Sequence, residues 1–192
     1  MMKIAVYCAS STKIRPDFFE AASQLGRELG RRDLELVNGA GRMGLMAATS
    51  DACLAAGGRV TGVIPTFMVE QGWHHTGLTH LIETKDMHQR KQIIANISDG
   101  CIALPGGCGT LEELMEVITW KQLGLYLKPI VILNIRGYYD PLLQQLQRGI
   151  DEHFMGERHA AIWRVAETPA EAIDLVLSTP LWDPNVRKFA AI

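Results

Sequence analysis

Cys101-Ile102-Ala103-Leu104-Pro105-Gly106-Gly107-Cys108-Gly109-Thr110-Leu111-Glu112-Glu113 is the stretch on which the fold turns. Residues 101–104 are an apolar run too short for a helix and closed by Pro105 and glycines, which reads as a strand buried on both faces. Residues 111–123 carry apolar side chains at helical spacing. Strand, glycine loop and helix together make half of a parallel-sheet unit. Outward from this stretch the alternation repeats. Strands are expected at 3–9, 34–37, 59–64, 81–83 and 130–133, and helices at 18–31, 45–56, 87–97, 141–154 and 169–177. The pattern predicts an α/β fold, a Rossmann-like doubly wound parallel sheet with helices on both faces, whose ligand lies beyond the carboxyl ends of the strands. Only residues 65–80 break the rhythm; they read as a long loop holding a short helix, and as the best candidate for a lid.

The chain has 192 residues, 47% of them hydrophobic and 21% charged, which fits one domain, expected over residues 1–180 with a tail at 181–192. Nineteen Lys and Arg stand against 21 Asp and Glu without a run of like charge, which argues against nucleic acid as a partner. No apolar stretch is long enough to span a membrane, and no leader pattern precedes the first strand, so a soluble, cytoplasmic protein is expected. Cys8, Cys53, Cys101 and Cys108 form no C-x-x-C pair and read as free thiols of a reducing compartment.

Two glycine loops carry the functional signal. Gly39-Ala40-Gly41-Arg42-Met43-Gly44 spells G-x-G-x-x-G, but it follows the second strand, and Ile64-Pro65-Thr66 stands where a dinucleotide site has its ribose-binding acid. That leaves a tight strand-to-helix turn, or bare backbone against a nucleotide. Arg42 fits either a phosphate contact or the turn itself. In the second loop Gly106, Gly107 and Gly109 free several amides beside the positive end of a helix, and Thr110 adds a hydroxyl. No lysine follows the last glycine, so it is not a Walker A loop, and a clamp for a monophosphate remains. Thr110 and Glu113 also spell a capping box, with Thr110 as N-cap and Glu113 at the third helical position. The opposing reading is chemical, because a carboxylate beside a bound phosphate is repelled and a purely structural design avoids it. Glu116, one turn on, is assigned a supporting role. His74, His75 and His80 lack metal-ligand spacing, and Cys108 has no histidine in catalytic register, so neither a metal nor a nucleophilic thiol is expected.

Met87-His88-Gln89-Arg90-Lys91 and Pro105-Gly106-Gly107-Cys108-Gly109-Thr110-Leu111-Glu112-Glu113 resemble the M-x-x-R-K and P-G-G-x-G-T-x-x-E motifs of the LOG family, cytokinin riboside 5′-monophosphate phosphoribohydrolases often mislabelled lysine decarboxylases. The likeness extends through Cys8-Ala9-Ser10-Ser11, the loop 39–46, Glu116-Val117-Ile118-Thr119-Trp120 and Gly137-Tyr138-Tyr139. It implies a homodimer that cleaves the N-glycosidic bond of AMP, or of an N6-modified relative, to free base and ribose 5-phosphate. It assigns Arg90 and Glu113 as the catalytic pair. Gly106, Gly107, Gly109 and Thr110 fall on the phosphate loop with Cys108 among them, and Lys91 and Thr119 on contact positions. Gly41, Met87 and Glu112 complete the expected substrate-binding set. No cofactor is implied; decarboxylation of lysine would need pyridoxal phosphate, for which nothing in the sequence argues. The chain departs from close members at Ala40, Asn38, Cys108 and Gly72, the last standing where many members carry a glutamate. The alternative is a non-catalytic carrier or sensor of a phosphate-bearing nucleotide or of the molybdenum cofactor. Arg90 with Glu113 discriminates, since a carrier needs the clamp but not a carboxylate at the anomeric carbon.

Overall fold

The structure, a computed structural model, describes residues 1–188. Seven parallel strands form one sheet: β1 (Lys3–Tyr7), β2 (Glu35–Asn38), β3 (Val60–Pro65), β4 (His80–Thr84), β5 (Gly100–Ala103), β6 (Ile130–Leu133) and β7 (Arg164–Ala166), in the order β4-β3-β2-β1-β5-β6-β7. The connecting helices are α1 (Pro16–Arg31), α2 (Gly44–Ala55), α3 (Thr66–Glu70), α4 (Met87–Ile97), α5 (Cys108–Gln122), α6 (Asp140–Asp151) and α7 (Pro169–Ser178). From β1 the chain builds outward through β2, β3 and β4, then returns to the far side of β1 as β5. The direction of winding therefore reverses between β1 and β5, where a crevice opens at the carboxyl ends.

Side chains of a strand alternate between faces, and β1 shows what each face buries. Ile4, Val6 and Cys8 pack with Leu25 and Leu29 of α1, Leu45 of α2 and Ile173 of α7. Ala5 and Tyr7 pack with Ile94 of α4, Leu114 and Val117 of α5, and Ile150 of α6. Each fully buried aliphatic side chain contributes roughly 1.5–3 kcal/mol, so these two layers carry the fold. α5 is apolar beyond its inward face: Met115 and Trp120 are only partly buried, and Leu123 beyond its end is exposed.

Lys121 and Lys128 anchor the far end of α5 and the segment after it. Lys121, on α5, is buried, donates to the Lys128 carbonyl at 2.9 Å and lies 5.4 Å from the centre of the Trp182 ring. Burial lowers its pKa to about 8. Lys128 points its ammonium at the end of α4, donating to the carbonyls of Ala95 at 2.7 Å, Asn96 at 3.0 Å and Ser98. Of the residues expected as a tail, Trp182 donates its backbone N–H to the Leu127 carbonyl at 2.7 Å and Val186 is buried, whereas residues 189–192 lie outside the described residues.

Three expectations are corrected. β7 does not stand out in the sequence, because three residues with two exposed are too few to show a period. The helix expected at 141–154 ends at Asp151, and His153 then adopts φ 62°. The capping box at Thr110 and Glu113 does not form: α5 begins at Cys108 with Gly107 as N-cap, so Thr110 is already the third helical residue. Among the described residues no helix is long and apolar enough to cross a membrane.

Candidate active site

At the β1/β5 crevice lies a cavity of about 270 Å³. Cys8, Ser10 and Ser11 following β1 form one wall, Gly107, Gly109 and Thr110 another, and Met46, Met87, Arg90, Glu112 and Glu113 close it. The first amides of a helix have no intrahelical acceptor, and among the described residues no side chain caps those of α5. A Cβ on Gly106 would collide with Thr110 Oγ1, so only glycine lets the threonine fold back under the loop. The result is a cradle of amide donors and helix dipole at one end of the cavity, suited to an anion.

Arg90 enters from α4, a helix capped by Asp86, whose carboxylate accepts the Gln89 N–H at 2.8 Å. Its guanidinium is buried and fixed at two points: Nε donates to the Val63 carbonyl at 3.0 Å, and Nη1 to Glu113 Oε1 at 3.1 Å. It lies over Gly39, where a Cβ would occupy the place of Nη2. Asn38 shapes that turn, accepting the Ala40 N–H at 2.9 Å and donating to Ser50 Oγ at 2.9 Å. Burial pushes the Glu113 carboxyl above the ordinary glutamate range; the Arg90 charge pulls the other way but offsets only part of it. The carboxylate is thus desolvated yet paired, the state in which its charge acts most strongly on a neighbouring cation.

Lys91 does not line the cavity. It is buried and donates to Glu112 Oε1 at 2.5 Å and Glu116 Oε1 at 3.1 Å, so it ties α4 to α5. Burial acts to lower the Lys91 pKa, but the two carboxylates outweigh it and leave it raised, the reverse of what a Schiff-base lysine needs. Thr119 is exposed and donates back to the Met115 carbonyl at 2.8 Å, about 14 Å along α5 from Thr110, away from this cavity. Cys108 is exposed at the first turn of α5, and Gly41 abuts Met46. Glu112, Met87 and the remaining loop residues stand at or beside the cavity.

Residues 65–80, expected as a lid, contain α3 and are stitched to the first glycine loop. Arg42 N–H donates to the Trp73 carbonyl at 3.0 Å, His75 N–H donates to the Ala40 carbonyl at 2.8 Å, and the His75 ring meets Asp51 Oδ1 at 2.7 Å. Arg42 thus serves the turn through its backbone. Sequence reasoning missed the Val63 carbonyl and the role of Gly39; a glycine ending a strand opposite an arginine helix is a signal visible only once strand order is known. A larger cleft, about 810 Å³, lies away from this site beside Met2, Asp99, Leu125 and Lys128, but the Lys128 ammonium is consumed by the α4 carbonyls.

The profile of a family described as "Possible lysine decarboxylase" matches residues 46–176. Cytokinin riboside 5′-monophosphate phosphoribohydrolase LOG7 of Arabidopsis thaliana is 46% identical over 183 residues, 95% of this chain and 83% of the relative. The probable cytokinin riboside 5′-monophosphate phosphoribohydrolase LOGL2 of Oryza sativa subsp. japonica is 42% identical over 172 residues, 90% and 70% of the two chains. Among solved structures, the molybdenum cofactor binding protein of Rippkaea orientalis superposes with a TM-score of 0.70 at 24% identity, covering 92% of this chain and 96% of that one. The Moco carrier protein of Chlamydomonas reinhardtii does so with 0.70 at 22% identity, covering 92% and 95%. At such identity the structures share the fold, whereas the sequence relatives match over most of the chain, and with them this chain belongs to the LOG family.

Proposed function

We propose that the protein hydrolyses the N-glycosidic bond of AMP or of an N6-modified adenosine 5′-monophosphate. The observation that carries this is the buried Arg90–Glu113 pair facing the same cavity as the uncapped amides of α5. A 5′-phosphate on Gly106, Gly107, Gly109 and Thr110 puts the sugar against Glu113. As the C1′–N9 bond breaks, its electron pair leaves with the base and positive charge grows at the anomeric carbon. The Glu113 carboxylate stabilises that charge and takes a proton from the water that attacks C1′; the base gains a proton in leaving. Arg90 stays protonated throughout and holds Glu113 in place.

The pair also separates this reading from that of a cofactor carrier, since desolvating a carboxylate works against stability and a site that only binds has no use for it. A homodimer belongs to the proposal. The cavity is smaller than the roughly 300–1,000 Å³ that encloses a whole ligand, and the uncovered apolar side of α5, where Thr119 sits, offers the surface for a second subunit. Free thiols and charge balance fit a cytoplasmic enzyme. The test is incubation with AMP and chromatography for adenine and ribose 5-phosphate, with adenosine in parallel. Turnover of AMP about a hundredfold more efficient than that of adenosine is expected. Equal efficiency, or no free base from AMP and from N6-isopentenyl-AMP, refutes the proposal.

A further inference from the structure

β6 runs beside β5, so the turn that ends it lies next to the phosphate loop. Asn134 organises that turn, accepting the Tyr139 N–H at 2.7 Å and donating to Asp140 Oδ1 at 2.7 Å. Arg136 and Gly137 both take left-handed backbone, with φ 58° and 69°, which redirects the chain sharply. Two consecutive tyrosines are delivered to the loop in this way. Tyr139, buried, donates its hydroxyl to the Leu104 carbonyl at 2.6 Å. Tyr138 donates to the Gly106 carbonyl at 2.8 Å, with its ring edge-on to Phe18 at 5.7 Å and to Tyr139 at 5.1 Å.

The Gly106–Gly107 peptide is trans, so its C=O and N–H point in opposite directions. With the carbonyl directed at Tyr138, the Gly107 N–H is directed away from it, and Gly107 lines the cavity. A peptide between two glycines has little steric resistance to rotation. The Tyr138 hydroxyl is bonded to the carbonyl of this peptide, and the reversed peptide would aim an oxygen lone pair at a bound anion. We propose that Tyr138 is a positioning residue for phosphate binding, whose hydroxyl holds the Gly106–Gly107 peptide with its N–H toward the 5′-phosphate. This rests on the phosphate reading above and deepens it.

Tyr138→Phe keeps both ring contacts and deletes only the hydroxyl. Ribose 5-phosphate binding is measured by calorimetry on wild type and variant, with steady-state kinetics on AMP and adenosine and a thermal melt of each. The variant is expected to bind ribose 5-phosphate roughly tenfold more weakly, the scale of one charge-assisted hydrogen bond. KM for AMP rises with it while kcat holds, kcat/KM for adenosine is unmoved, and Tm stays within about 2 °C. Unchanged ribose 5-phosphate affinity in the variant overturns the inference and leaves the phosphate reading intact. Equal losses on AMP and adenosine also overturn it, because they mark a general loosening of the site. Failure of the wild type to bind ribose 5-phosphate overturns both.

Discussion

Glu113→Gln isolates the charge at the centre of the proposed chemistry. The amide oxygen can still accept from Arg90 Nη1, which Glu113 receives at 3.1 Å, while the Nε bond to Val63 is untouched. Converting a charge-assisted bond to a neutral one loses roughly 1–1.5 kcal/mol. Removing a carboxylate whose ionised form burial disfavours returns part of that, so the net change is about 1 kcal/mol, or some 2–4 °C in Tm at this chain length. Catalysis loses much more. Taking away a fixed charge that faces developing opposite charge costs about 3–4 kcal/mol, a fall in kcat of roughly two to three orders of magnitude. Adenine release from AMP measures kcat, calorimetry measures AMP binding, and circular dichroism follows the melt. Turnover near the wild-type rate would falsify the catalytic assignment; a Tm drop beyond about 10 °C would show instead that the pair is a structural support. The same residue sets a pH dependence. Its pKa is raised in the folded protein, so the acid limb of kcat/KM should lie above the ordinary glutamate range. Because the folded state keeps that proton to higher pH than the unfolded chain does, its stability contribution is full below the unfolded pKa and is lost as pH rises through the folded one.

Gly39→Ala should leave the fold intact, since its Cβ meets a side-chain end rather than backbone, but it displaces Arg90 Nη2 and should lower kcat about a hundredfold; normal turnover would show that the guanidinium position is not critical. Lys128→Met strips the ammonium from the carbonyl end of α4 and should cost about 2 kcal/mol, read as a Tm lower by roughly 4–8 °C, and an unchanged melt would show that water replaces it fully. Lys121→Met tests the buried amine with a pKa of about 8. The unfolded chain holds that proton to about pH 10.4, so between about pH 8 and 10 the wild type should gain roughly 2 kcal/mol relative to the variant in denaturant titrations; a constant difference would mean that the lysine is solvated.

The fold was legible because its central strands are continuous apolar runs: residues 101–104 and 130–133 announce themselves without reference to partners. Arg90 and Glu113 were paired only by the motif resemblance, and they do meet across 23 positions of sequence. What local pattern could not carry was competition between equally good starts for α5. Thr110 and Glu113 satisfy the capping pattern, yet the helix begins earlier at Cys108, where the sharp exit from β5 puts Gly107 at the cap and lets Thr110 tuck beneath Gly106. Lys91 shows a second limit. The family resemblance put it on a contact position, but consecutive helical residues point about 100° apart, and its ammonium is turned to Glu112 and Glu116. Pairings such as Tyr138 with Gly106 depend on β6 lying next to β5, which no single segment encodes.

The stitching of residues 73–75 onto 40–42 joins a surface segment to the guanidinium of Arg90 through Gly39. If the segment lifts, the hydrogen bonds of the Arg42 and His75 N–H groups break together, and the turn that Arg90 rests on keeps only the bonds of Asn38. Loop and arginine therefore form one cooperative opening unit, in which hydrogen exchange at Arg42 and His75 should share a single opening free energy. A ligand that bridges the phosphate loop and Arg90 should slow exchange at both amides equally, although neither touches it: occupancy of the cavity becomes readable at the protein surface.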